Sequence, residues 1–224
     1  MGHILIALTA AALAAGGPAP AQPAARHFST RIDNPYLPMK PGIRRVYRET
    51  ENGEVNRVVV KVTRRTKRVA AGIRARVVRD TVRHKGEIVE DTFDWYAQDR
   101  RGNVWYVGED TTEYEDGRPV SKEGSWEAGV DGAQPGIVML AHPRVGREYR
   151  QEDYPGHAED RARVLSRDDQ AQVPAGHYRH VLLTKEWNPL EPRALEYKLY
   201  ARGVGLVLTL GVSGDVGREA LLPQ

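Results

Sequence analysis

Asp91-Thr92-Phe93-Asp94-Trp95-Tyr96-Ala97-Gln98-Asp99, the turn Arg100-Arg101-Gly102-Asn103, and the return Val104-Trp105-Tyr106-Val107-Gly108 decide the fold class. Two runs rich in aromatic and β-branched residues flank a Gly-Asn turn, which is the signature of a β-hairpin. Side chains alternate between faces along a strand. If Gln98 opposes Val104, then Tyr96 opposes Tyr106 and Asp94 opposes Gly108 on one face. Phe93, Trp95, Ala97, Trp105 and Val107 gather on the other. That second face is expected to be the core side or the lining of a cavity, and the face of Asp94, Tyr96, Gln98 and Tyr106 to meet water.

The rhythm extends in both directions. Towards the N-terminus, Ile43–Thr50 and Val55–Arg64 read as strands around the Glu51-Asn52-Gly53-Glu54 turn, and Ile73–Arg83 leads through Lys85-Gly86-Glu87 into Ile88–Gln98. Towards the C-terminus, strands are expected at Thr111–Glu115, Arg147–Asp153, Ala158–Leu165, His177–Trp187, Arg193–Tyr200 and Val204–Leu210. The pattern breaks between Gly124 and Gly146, where five glycines and two prolines surround the short run Ile137–Leu140. A loop of that length is expected to serve a function or to act as a lid. About ten short strands without a convincing amphipathic helix predict an all-β protein. Its single antiparallel sheet system would form a half-barrel, barrel or sandwich with a long Gly-rich loop.

Residues 4–15 form an uncharged apolar run followed by Ala19-Pro20-Ala21, the layout of a secretory signal peptide over 1–21, although only His3 and the α-amino group stand where a basic n-region belongs. The expected organisation is therefore a signal peptide (1–21), a Pro-rich arm (22–42), a β domain (43–210) and a C-terminal tail (211–224). The product would be secreted or periplasmic after cleavage near Ala21. No later stretch is long and apolar enough to span a bilayer. The 224 residues contain no Cys, which excludes disulfides, thiolate nucleophiles, thiolate zinc sites and iron–sulfur clusters.

Charge is segregated along the chain. Arg57 to Lys85 holds eleven Lys or Arg and one acid, Asp80, whereas Glu87 to Asp131 holds thirteen acids and four bases. Two accounts are open: cross-strand pairing between the blocks, or a cationic surface that meets an anionic envelope component. Nucleic acid is a poor partner, because the basic run lacks interleaved aromatics and a groove-reading helix.

No nucleophile elbow, phosphate-binding loop or dinucleotide fingerprint is present. Neither a metal site nor a cofactor is expected. Asp94, Glu109, Glu152 and Glu186 are the carboxylates to inspect for acid–base chemistry, with His142 and His157 as partners that only the fold could bring to them. Phe93, Trp95, Trp105 and Trp126 are the expected ligand-lining residues.

Asn34-Pro35-Tyr36-Leu37-Pro38, Lys40-Pro41-Gly42, the 91–106 hairpin, Gly124-Ser125-Trp126-Glu127-Ala128-Gly129-Val130-Asp131-Gly132, and a last block of Val173-Pro174-Ala175-Gly176 with Gly203-Val204-Gly205-Leu206-Val207 together resemble an uncharacterised family of exported bacterial β-rich proteins. The last block is similar, more loosely, to lipoprotein carriers with an open half-barrel. This resemblance implies an antiparallel sheet with a hydrophobic concavity and transfers no site. The reading that follows is an exported protein that binds a small apolar or amphiphilic ligand or an envelope component. The alternatives are a carboxylate/His-dependent envelope hydrolase or lyase, and a non-enzymatic structural or interaction module.

Overall fold

The computed structural model describes residues 27–51, 53–214 and 216–224, so the expected signal peptide lies outside the described residues. The strands are β1 (Phe28–Ser29), β2 (Arg44–Glu51), β3 (Glu54–Arg68), β4 (Arg74–His84), β5 (Glu87–Asp99), β6 (Val104–Glu115), β7 (Arg118–Ser121) and β8 (Trp126–Glu127). They continue as β9 (Gly136–Met139), β10 (Glu148–Arg150), β11 (Arg161–Val173), β12 (Gly176–Trp187), β13 (Leu195–Ala201), β14 (Gly205–Ser213) and β15 (Gly217–Leu221). All fifteen belong to one antiparallel sheet that is not closed, in the order β10-β11-β12-β13-β14-β15-β2-β3-β4-β5-β6-β7; β1 pairs with β5, and β8 and β9 pair with β6. The described residues contain no α-helix. The all-β reading and its single sheet are therefore correct.

Residues 211–224 are not a tail. β15 lies between β14 and β2 and joins the C-terminal half of the sheet to the N-terminal half. Its five residues, Gly-Arg-Glu-Ala-Leu, are too short and too weakly alternating to signal a strand, and the two neighbouring edges supply the pairing. The Gly-rich segment is likewise built into the sheet, through β8 and β9 on β6.

The Pro-rich arm is pinned. Asn34 is buried and donates through Nδ2 to the carbonyls of Gly102 (2.9 Å) and Leu140 (3.2 Å), while Gln98 Oε1 accepts from the Asp33 and Asn34 amides at 2.9 Å. Ile32, Tyr36 and Met39 then pack with Val62, Val78, Val104, Val164, Leu182 and Tyr200. An arm that prolines keep out of both helix and ladder thus becomes the apolar floor at one end of the curled sheet.

The register confirms Gln98 opposite Val104 and Tyr96 opposite Tyr106, but Asp94 opposes Glu109 and not Gly108. β6 carries one extra residue there, a β-bulge. Gly108 sits at φ 125° with its α-carbon against β8: a Cβ would fall 2.3 Å from the Trp126 carbonyl oxygen. The bulge changes which side chains share a face. Tyr106 and Glu109, three apart, now point the same way.

Candidate functional site

A cavity of about 360 Å³ lies against one face of the sheet. Its strand lining alternates: Arg45, Tyr47, Glu49 and Glu51 from β2; Val60 and Val62 from β3; Val78 and Asp80 from β4; Asp94 and Tyr96 from β5. Leu37 and Met39 from the arm, and Tyr200 and Leu206 from β13 and β14, complete its apolar end. The other end follows from register. Lys198, Thr209, Glu219 and Glu49 form one cross-strand row, and Glu196, Gly211, Gly217 and Glu51 the next. The cavity is therefore amphipathic, with a hydrocarbon floor and a carboxylate-rich mouth.

The inner face is the one expected to meet water; Phe93, Trp95 and Trp105 lie on the outer face, whereas Trp126, opposite Glu109, lies on the inner side but outside the cavity lining. Trp95 stacks under Lys67, whose Nζ lies 3.6 Å from the ring centroid. Phe93 lies between Arg65 and Arg79, at 5.6 and 5.5 Å. Trp105 donates from Nε1 to Asp99 Oδ2 (2.9 Å) and meets the edge of Phe28 from β1. Trp126 packs edge-on to Tyr106 at 5.5 Å. None of these four aromatic residues lines the cavity; Trp95, Trp105 and Trp126 belong to a filled apolar cluster. Alternation sorts side chains into two faces but does not say towards which face the sheet curls.

The four carboxylates picked out by sequence divide into two groups. Asp94 accepts from the Tyr106 hydroxyl at 2.7 Å, and Tyr106 stacks on Tyr96. Burial, together with the neighbouring Glu109 charge, pushes Asp94 up to about 7. Glu109 accepts from Thr111 (2.8 Å), which meets Thr92, which donates to Glu90; burial raises Glu109 to about 7. Glu152 is raised to about 8 by burial and by the charges of Asp160 and Glu109. Glu186 stands apart, accepting from Thr184 and Tyr200 and pairing with Lys198 at 3.1 Å. The two histidines do not join either group. His142 lines a surface groove beside Asn34–Tyr36, and His157 stacks on Tyr154 in a turn.

Asp80 and Glu219 escaped the sequence reading. Both face the cavity, both are driven to about 8 by burial, and Asp94 and Asp80 respectively add to the shift. Asp80 Oδ1 is buried without a hydrogen-bond partner among the described residues. Lys198 offsets the charge of Glu219 only in part, because it is also held between Glu186 and Glu196 at 3.1 and 3.2 Å. A signal for Asp80 exists in the alternation Val78-x-Asp80 opposite Val60-x-Val62; Glu219 lay in the stretch read as a tail. No group of three or more His, Asp or Glu among the described residues is arranged to hold a metal ion.

No family model matches the chain, and no curated protein matches it. Two solved structures overlap with it. A Bacteroides fragilis protein described as exported, with a YmcC-like fold, is 12% identical with a TM-score of 0.47. A Parabacteroides distasonis protein described as a lipoprotein is 11% identical with a TM-score of 0.44. Each comparison covers 84% of this chain and 97% of the other. No helix among the described residues is long and apolar enough to cross a membrane.

Proposed function

We propose that this chain is an exported binding protein whose curled sheet holds a small amphiphilic molecule, tail towards Leu37, Met39, Val62 and Leu206, head towards Glu49, Glu51, Glu196 and Glu219. The cavity's two-ended lining carries the reading. A volume of this size suits a short-chain ligand. The mouth presents acceptors in excess of donors, so it favours a head group that donates hydrogen bonds, an amine foremost. A bound cation would also let Asp80 and Glu219 ionise, because a nearby opposite charge favours the charged form.

Calorimetric titration with octylamine, octyl glucoside and octanoate tests both ends of the ligand. The amine is expected to bind tightest and the carboxylate weakest. Val60→Phe, which fills the lining from β3, is expected to abolish binding while the fold is retained. Binding of none of the three, or unchanged affinity in Val60→Phe, would rule the cavity out; octanoate binding as well as octylamine would rule out the role given to the mouth.

A further inference from the structure

Residues of β2–β4 that alternate with the cavity lining form the outer face, and the ladder register sets their charges in rows. Arg44 opposes Lys61, which opposes Arg79; Arg48 opposes Arg57, which opposes Arg83. Neighbours within a row are about 5 Å apart, and the two rows, four residues apart along each strand, are separated by about 13 Å. Like charges directly opposite one another in a sheet destabilise it. Among the described residues, Arg79 alone of these six has a carboxylate partner, Asp91, at 2.6 and 2.9 Å; Arg83 donates to the Gly86 carbonyl. Arg44, Arg48, Arg57 and Lys61 are exposed and have no ion pair among the described residues. The acids of the neighbouring strands that might have balanced them, Glu49, Glu51 and Asp80, line the cavity on the other face.

We infer that this outer face of β2–β4 docks the protein on an anionic lipid bilayer. A two-dimensional array of cations matches a charged plane better than it matches a single polymer strand, and juxtamembrane cations gain attraction additively from such a plane. Apolar groups lie at the edge of the array. Val55 is 54% exposed and Val216 58% exposed, at the tips of the β2–β3 and β14–β15 hairpins, which the Glu51–Gly217 pairing holds side by side. Exposed valines beside unpaired arginines are the combination that an interfacial contact uses. The inference does not depend on what the cavity holds.

Sedimentation of the full chain with vesicles of phosphatidylcholine alone, or mixed with phosphatidylglycerol, tests it. Binding is expected to be much stronger to the mixed vesicles, and that excess is expected to fall steeply with added sodium chloride. Arg44→Gln/Arg48→Gln/Arg57→Gln/Lys61→Gln is expected to weaken it on the order of several hundred-fold, at about five-fold per cation. Arg118→Gln/Arg144→Gln/Arg147→Gln/Arg193→Gln, which removes the same charge elsewhere, is expected to bind like the parent. All comparisons use the same full-length chain, so residues 4–15 contribute equally to each. Native tryptophan emission reports that each variant is folded; should the first fail, its two row-sparing halves, Arg44→Gln/Lys61→Gln and Arg48→Gln/Arg57→Gln, replace it. Equal binding to both vesicle types, equal binding by the first variant, or binding to soluble dextran sulfate without binding to vesicles would each overturn the inference.

Discussion

Arg79 and Asp80 are consecutive residues of β4 that point to opposite sides of the sheet. Arg79 reaches outwards, where Asp91 grips it with both oxygens at 2.6 and 2.9 Å. Asp80 faces inwards, where its Oδ1 is buried and accepts no hydrogen bond. One step along the backbone thus separates a neutralised cation from an uncompensated acid. The same sorting runs through β2, where Arg44 and Arg48 face out while Glu49 and Glu51 face in.

Stability is expected to fall as pH rises. Asp80, Glu152 and Glu219 are held at about 8, Asp94 and Glu109 at about 7 and Asp160 at about 6, all by burial. A carboxylate whose folded pKa exceeds its unfolded value of about 4 binds its proton more tightly when native. Its contribution is complete below about pH 4 and is lost as pH climbs through the folded value. Urea midpoints should therefore decline from about pH 5 to about pH 8.5. A midpoint that rises across that window would show these carboxylates to be ionised and compensated.

Asp80→Asn should stabilise the protein in the alkaline part of that window. The substitution keeps the shape and removes a buried charge that has no ion-pair partner among the described residues, a change worth about 1–3 kcal/mol. At about pH 5, where Asp80 is already neutral, the gain should shrink towards zero. Urea unfolding of both proteins at the two pH values distinguishes this from a uniform effect.

Gly108→Ala should be strongly destabilising, by about 2 kcal/mol or more. The new methyl would meet the Trp126 carbonyl at 2.3 Å, and φ 125° is a region that L side chains rarely adopt. Relief requires β8 to move or the bulge to close, and closing it would turn Glu109 away from Tyr106. Thermal unfolding measures the first effect; a titration midpoint of Glu109 lowered by its release from burial, followed by carboxyl NMR, would report the second.

Tryptophan emission should report folding and not occupancy of the cavity. Trp95, Trp105 and Trp126 are buried away from it, and Trp187 lines a separate groove beside Glu186 and Asn188. Saturation with octylamine should leave the emission maximum unchanged, whereas urea should shift it to the red. A large ligand-induced shift would place the occupied site against one of these indoles and not in the cavity.

The amino-acid sequence by itself determined the strands and their two faces, because side-chain alternation is local geometry and Gly-Asn and Asn-Gly turns fix which runs pair. It reached Asp94, Glu109, Glu152 and Glu186 as residues of interest through their type alone. Tertiary structure decided the rest. The extra residue at Gly108 shows no period in the sequence, since only the close approach of β8 requires it. β15 became a strand because two edges were waiting for it, and Asp80 and Glu219 met across strands far apart in the chain. The two charge blocks looked like partners when counted along the chain. In the folded sheet, alternation sends most of the cations of β2–β4 outwards and most of the acids inwards, and the direction of curl, a property of the whole sheet, decides which of those faces encloses a cavity.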